Sequence, residues 1–218
     1  METGRFISFE GIEGCGKTTQ IRLAGEFLKQ SHVPSIITEE PGGTPLGRRI
    51  RKILLNRGSG EEICRETEVF LFSAARAQHV KDVIIPALRE GMVVLCDRFY
   101  DATVAYQGFG RGLDINIITL LNDFSSSNIR PDLTFLFDLP VDVGLKRAMH
   151  RISRMKEGLA EDRFEREDLE FHRKVREGYL LLAKQENRRF RIIDSARDIE
   201  IIHREVCVHL SAFIGKKL

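Results

Sequence analysis

The sequence has only four cysteines, Cys15, Cys64, Cys96 and Cys207, scattered without a C-x-x-C pair. That spacing argues against a disulfide framework or a zinc site and fits a reducing cytosol. The six histidines show no H-E-x-x-H spacing, so they read as surface or packing residues. No apolar run approaches the roughly 20 residues that span a bilayer. The opening stretch Met1 to Arg5 lacks the apolar centre of a signal peptide. An excess of one charge is missing too, since 34 basic and 32 acidic residues leave a net charge of +2. A nucleic-acid or membrane surface calls for a large basic excess, so neither partner is expected. Together these absences leave a cytoplasmic protein that works on small molecules.

What is present is a chain of 218 residues, 42% hydrophobic and 30% charged, enough for one ordinary globular domain. No repeat or linker divides it, so residues 1–218 are expected to form a single domain. Apolar runs at Arg5 to Glu10, Ser35 to Glu39, Met92 to Cys96, Leu133 to Asp138 and Phe190 to Asp194 lack strict alternation, as buried parallel strands do. Helical periodicity fills the gaps: Ile21, Ala24 and Leu28 lie on one face, and Ile199, Ile202, Val206 and Leu210 on another. The expectation is an α/β fold with a five-stranded parallel sheet flanked by helices. In such sheets ligands bind beyond the carboxyl ends of the strands. The residues to read for chemistry are therefore Glu10, Glu40-Pro41-Gly42-Gly43, Asp97-Arg98 and Asp138.

The first of these turns carries the strongest signal. Gly11 to Thr18 read G-I-E-G-C-G-K-T, a full match to the phosphate-cradling pattern G-x-x-x-x-G-K-[ST]. It sits between the apolar run Phe6 to Phe9 and an amphipathic stretch, the context that gives the pattern meaning. Its glycines let successive N–H groups point inward as an anion nest, and the next helix adds its positive end. Gly11, Ile12, Glu13, Gly14, Cys15, Gly16, Lys17, Thr18 and Thr19 are thus the expected nucleotide-binding residues. Lys17 would supply the charge at the β- and γ-phosphates, and Thr18 a ligand for Mg²⁺.

Asp97 ends the third apolar run, where an acid can hold Mg²⁺; a strand-end Asp can equally cap the following turn. Arg98 follows it. An arginine beside the phosphate loop suits bidentate contact with a second phosphate, which implies a phosphorylated acceptor. Phe72 and Arg76 lie one turn apart on a helix and so share a face. They fit either a nucleobase pocket, ring stacked and arm reaching, or a core phenylalanine beside a solvated arginine. Arg51 belongs to the charge run Arg48 to Lys52, the pattern of a solvated helix face. The polar stretch from 149 to 162, with Arg151, Arg154 and Gly158, reads as either an arginine-bearing lid or an ordinary exposed loop.

In order and spacing, the motifs resemble the thymidylate kinase family. The likeness runs through F-E-G-I-E-G-C-G-K-T-T (Phe9 to Thr19), E-P-G-G-T (Glu40 to Thr44), C-D-R-F (Cys96 to Phe99), A-Y-Q-G (Ala105 to Gly108), R-P-D-L-T (Arg130 to Thr134) and D-R-F-E (Asp162 to Glu165). It implies the P-loop nucleoside monophosphate kinase fold and transfer of phosphate from ATP, with Mg²⁺, to dTMP. It also implies roles. Phe72 would stack on thymine and Arg76 would contact the base. Arg51 and Arg98 would hold the dTMP phosphate. Thr103 and Gln107 would lie at the base, and Glu40 and Pro41 would wall the pocket. Tyr106 would pack under the deoxyribose, and Glu13 would lie near the acceptor or the metal. Some members carry a catalytic arginine in the phosphate loop; Gly14 stands there in this chain, which puts that role on Arg151 or Arg154. A homodimer through helical faces is also implied. Two positions depart from the bacterial pattern: Glu39 replaces an arginine before E-P-G-G, and Ala102 replaces a serine.

The competing readings are a kinase for another nucleoside monophosphate or a deoxynucleoside, a GTP-dependent switch, and a nucleotide binder without turnover. A deoxynucleoside kinase would have no use for two phosphate-clamping arginines. The N-K-x-D-like guanine reader of a switch is absent, the nearest candidate being Asn187-Arg188.

Overall fold

A computed structural model describes residues 4–55, 62–154 and 163–215. Five parallel strands form one sheet: β1 (Arg5–Glu10), β2 (Ser35–Glu39), β3 (Val93–Asp97), β4 (Leu133–Asp138) and β5 (Phe190–Asp194). Their order is β2-β3-β1-β4-β5, so β1 is central. The third strand runs one residue later than its apolar run, because Asp97 pairs in register with Phe9 and Glu39. The inner strands β1, β3 and β4 are almost continuously buried, whereas the edges β2 and β5 are half open. That difference explains why the inner runs show no alternation.

Nine α-helical elements surround the sheet among the described residues: α1 (Lys17–Gln30), α2 (Pro45–Leu55), α3 (Arg65–His79), α4 (Ile85–Arg89), α5 (Tyr100–Thr103), α6 (Ile115–Ser125), α7 (Val141–Ile152), α8 (Leu169–Gln185) and α9 (Ile199–Ile214). Ile7 and Phe9 share a core cluster with Ile21, Ala24 and Leu28 of α1 and with Ile202, Val206 and Leu210 of α9. Ile199 does not join that stripe; it is 52% exposed, because it opens the helix before the stripe turns onto the sheet. Phe6 points to the other side, into a cluster with Val80, Ile84 and Ala87. Burying each such side chain contributes about 1.5–3 kcal/mol.

Two local features set up the site. After α5 the chain widens into a looser turn over Val104–Gly110, with Arg111 N–H reaching back five residues to Tyr106 O at 2.8 Å. Such insertions re-aim side chains and gather at functional sites. This one faces Tyr106 and Gln107 into the interior. α1 starts at Gly16 (φ 90°) without a side-chain cap, so its first N–H groups remain available to the loop.

Candidate active site

Beyond the carboxyl ends of β1, β2 and β3 lies a cavity of about 460 Å³, a size suited to a small-molecule ligand. It brings together Glu13, Gly14, Lys17, Thr18, Glu40, Pro41, Arg51, Phe72, Arg76, Asp97, Arg98, Thr103, Tyr106, Gln107 and Arg151. These residues come from widely separated stretches of the chain. Gly11, Ile12, Cys15, Gly16 and Thr19 belong to the same loop but do not line the cavity. Arg154, exposed just after the end of α7, is not among the residues that line the cavity. Asp138 ends β4 as foreseen, yet its carboxylate is gripped by Arg176 at 2.7 and 2.8 Å and does not face the cavity. Gly158 and Asp162, in the expected lid, fall outside the described residues.

At the loop, Lys17 is buried, and its ammonium donates to Gly11 O and Ile12 O, both at 2.9 Å, and to Cys15 Sγ at 3.4 Å. Thr18 Oγ1, in the first turn of α1, donates to Asp97 Oδ2 at the end of β3 at 2.8 Å. A hydroxyl and a carboxylate side by side are hard oxygen donors of the kind that fit Mg²⁺. Among the described residues no group of three or more His, Cys, Asp or Glu could hold a metal unaided. Two protein oxygens suit an ion that also binds phosphates and water.

Each cavity arginine rests on a carboxylate. Arg98 donates to Glu13 Oε1 at 2.9 Å, Arg76 to Glu40 Oε1 at 2.6 Å, Arg51 to Glu39 Oε2 at 3.2 Å and Arg151 to Glu165 Oε1 at 3.2 Å. Such pairing fixes the guanidinium planes before a ligand arrives. Arg98 is the most constrained. Its backbone is left-handed (φ 68°), a strained state for a residue with a side chain, and such strain gathers at functional positions. Its side chain lies 4.8 Å over the Tyr106 ring and also reaches Tyr179 Oη at 3.2 Å. Arg76, read as a solvated arm in one alternative, is 1% exposed; beyond Glu40 it donates to Asn122 Oδ1 at 2.6 Å and Thr103 Oγ1 at 2.7 Å. Gln107 Nε2 donates to the buried Glu68 at 2.8 Å.

Glu13 is the hub of the site. It accepts from Arg98 and from the Tyr106 hydroxyl, and His172 Nδ1 stands 3.4 Å from its other oxygen. Burial alone would raise its carboxyl; His172, then the Arg98 and Lys17 charges and the Tyr106 hydroxyl, outweigh burial and hold it well below the usual range. Glu10 shows the opposite outcome. It accepts from Phe99 N–H at 2.7 Å and Tyr179 O–H at 2.8 Å, but burial, and then the Asp101 charge, push its carboxyl up to about 8.

The folded chain therefore keeps a proton on Glu10 that the unfolded chain releases near pH ~4.5. The stability this confers is complete below that pH and is lost as pH rises toward about 8. Glu10→Gln has nothing to titrate. Its melting temperature should gain on the parent's by roughly 5 °C between about pH 5 and pH 9. Parallel melting curves across that range would contradict a buried, protonated Glu10.

Comparison with known proteins places the whole arrangement. Residues 9–206 match the sequence profile of Thymidylate kinase. The chain belongs to the thymidylate kinase family. It is 60% identical over 205 residues to the thymidylate kinase of Syntrophus aciditrophicus (strain SB), covering 94% of this chain and 93% of that one. With the thymidylate kinase of Geobacter sulfurreducens it shares 54% identity over 197 residues, covering 90% and 92%. The crystal structure of thymidylate kinase from Ehrlichia chaffeensis superposes with a TM-score of 0.77 at 33% identity, over 96% of this chain and 99% of that one. The fold is the P-loop nucleoside monophosphate kinase fold that the motifs implied.

Within this thymidylate kinase family member the departures acquire physical meaning. A Cβ at Gly14 (φ 70°) would meet Gly144 O of α7 at 2.1 Å, so no arginine fits in the loop at that position. Glu39 is the carboxylate partner of Arg51, so the pocket carries an acid where the bacterial pattern has a base. Ala102 lines the cavity without a hydroxyl. Sequence reasoning missed Leu55, Phe99, Ile152, Phe164 and Glu165 in the lining. Phe99, Phe164 and Glu165 stand inside the C-D-R-F and D-R-F-E motifs, which were a usable signal. Leu55 and Ile152 carried none, being ordinary apolar residues at helix ends.

Proposed function

We propose that this phosphotransferase of the thymidylate kinase family transfers the γ-phosphoryl group of ATP to dTMP, forming dTDP for dTTP synthesis. The observation that carries the reading is that the phosphate loop and the Phe72, Arg76, Arg98 and Tyr106 cluster line one cavity. On this reading the loop from Gly11 to Thr19 cradles the ATP phosphates, and Lys17 offers its ammonium to them. Phe72 stacks on thymine while Arg76 and Thr103, already bonded to each other, face the base edge. Gln107 sits beside them. Tyr106 lies under the sugar, Glu40 and Pro41 form a wall, and Arg98 with Arg51 takes the acceptor phosphate.

Catalysis here is positioning and electrostatic stabilisation. The acceptor is already an anionic phosphate, so no protein base is needed. Arg151, at the rim, is placed to neutralise charge on the moving phosphoryl group. Thr18 and Asp97 would hold Mg²⁺, which when bound neutralises phosphate oxygens. Phe72, Phe99 and Phe164 give the pocket apolar surface. Soluble substrates put the reaction in the cytoplasm, and no helix among the described residues is long and apolar enough to cross a membrane.

The test is ADP release from ATP and Mg²⁺ with dTMP, dUMP, dCMP, dGMP and thymidine in parallel. Selective turnover of dTMP is the expected result. Turnover confined to another monophosphate would discard the base pocket, and turnover of thymidine would discard the phosphate clamp.

A homodimer through α3 and α6 belongs to the same proposal. Phe70 on α3 and Ile117, Leu120 and Phe124 on α6 are 59%, 58%, 70% and 84% exposed. Large apolar side chains clustered in this way mark an interface. Sedimentation should give a dimer for the parent and a monomer for Leu120→Glu/Phe124→Glu; a monomeric parent at micromolar concentration would refute it.

A further inference from the structure

Behind Arg76 runs a chain of buried polar groups that the proposed chemistry does not use. His79, one turn further along α3, is 1% exposed. Its Nε2 lies 2.6 Å from Thr38 Oγ1 on β2. Its Nδ1 faces Glu40 Oε2 at 3.6 Å. Neither of those two atoms has a hydrogen-bond partner among the described residues. The other Glu40 oxygen is taken by Arg76, through Nε at 2.6 Å and Nη2 at 2.5 Å. The loop is shaped to admit the imidazole: a Cβ on Gly43 would meet the His79 ring at 2.4 Å.

An imidazole this deep must satisfy its N–H, and a carboxylate this deep its second oxygen. If Thr38 O–H donates to Nε2, the ring proton sits on Nδ1 and points at Glu40 Oε2. The gap is a few tenths of an ångström beyond a hydrogen bond. Hydroxyl, imidazole, carboxylate and guanidinium then form one line from β2 to the cavity wall. Glu40 is held at both oxygens and anchors the Nε edge of Arg76, whose other contacts are Asn122 and Thr103.

We infer that His79 is a positioning residue for the acceptor base: with Thr38 it locks Glu40, and so aims the Arg76 guanidinium into the pocket. This rests on the reading of Arg76 as the group that meets the base. The chemical consequence is selectivity. A fixed guanidinium presents donors to a base carbonyl, as thymine has, and rejects the exocyclic amino group that cytosine carries at that edge. A guanidinium free to tilt discriminates less. The polar contacts of His79 are with Thr38 and Glu40 and not with the phosphate loop, so its effect should stay on the acceptor side.

Three variants of His79 separate aiming from packing. His79→Leu keeps bulk and removes both nitrogens. His79→Asn retains a donor near the Nδ1 position, and His79→Gln one near Nε2. For His79→Leu the expected results are a KM for dTMP raised about tenfold, with kcat and the KM for ATP within about twofold of the parent. The ratio of kcat/KM for dTMP over dCMP should fall about tenfold as well. His79→Asn should recover most of both effects and His79→Gln little. Thr38→Val, which only unties the far end of the ring, should move KM the same way by about threefold, and it decides the matter if His79→Leu fails to fold. Parent-like KM and selectivity in folded His79→Leu would overturn the inference. So would equal effects on ATP and dTMP, or a His79→Asn variant as impaired as His79→Leu. A parent enzyme that does not turn over dTMP would overturn the acceptor assignment itself; normal parent turnover with indifferent His79 variants would overturn this inference alone.

Discussion

Lys17→Ala is expected to lower kcat about a thousandfold, roughly 4 kcal/mol of transition-state stabilisation, while dTMP binding stays within a few-fold of the parent. Among the described residues the Lys17 ammonium pairs with no carboxylate: it donates to Gly11 O and Ile12 O at 2.9 Å and to Cys15 Sγ at 3.4 Å. Such neutral contacts can be given up for phosphate oxygens. Alanine leaves the backbone nest of the loop in place, so nucleotide still finds N–H donors, but the point charge that strengthens as phosphate oxygens gain charge is gone. The acceptor-side residues lie on α2, α3 and α5 and in the turns that follow β2, β3 and α5, and the Lys17 ammonium donates to none of them. Single-turnover kinetics with calorimetric dTMP titration checks both halves. A variant turning over within tenfold of the parent would remove Lys17 from the chemistry.

Arg98→Ala is expected to lower kcat/KM for dTMP about a hundredfold, about 2.7 kcal/mol, chiefly through KM, with ATP affinity nearly unchanged. Arg98 lines the same cavity as Lys17 and Phe72, and its fork is fixed by Glu13, Tyr179 and the Tyr106 face. Alanine removes the phosphate clamp and also strips Glu13 of its charged partner, so the loss exceeds that of a surface ion pair. Arg98→Lys separates the two contributions. It keeps a charge near Glu13 but not the planar fork, and should recover about tenfold of the loss. Steady-state kinetics at varied dTMP and saturating ATP reads this directly. Unchanged dTMP kinetics in Arg98→Ala would end its assignment as the acceptor clamp.

How much of this was legible beforehand differs by residue. Lys17, Thr18 and Asp97 were readable because motif and strand end are local: a few consecutive residues dictate a turn, and the turn dictates where the side chains go. Arg76 and Arg51 were ambiguous because helical periodicity says which residues share a face, not what that face meets. Glu40, Asn122 and Thr103 come from three other elements and together make Arg76 a buried group. Arg151 and Arg154 were not separable beforehand, because α7 ends at Ile152 and helical spacing does not apply beyond it.

By itself the sequence determined the parallel α/β sheet, the phosphate loop at the end of its central strand, and the family. Each follows from short-range information: apolar runs without strict alternation, most continuous in the inner strands, glycines that permit one kind of turn, and motifs in a fixed order. Only the tertiary structure decided which charges pair, that α7 closes the Gly14 position to an arginine, that Glu13 is held ionised while Glu10 keeps its proton, and that His79 stands behind Glu40. Those outcomes depend on desolvation and on distances of a few ångströms between residues as far apart as Glu13 and His172 or Glu10 and Tyr179. Burial and charge pairing act through space, and no spacing along the chain encodes them.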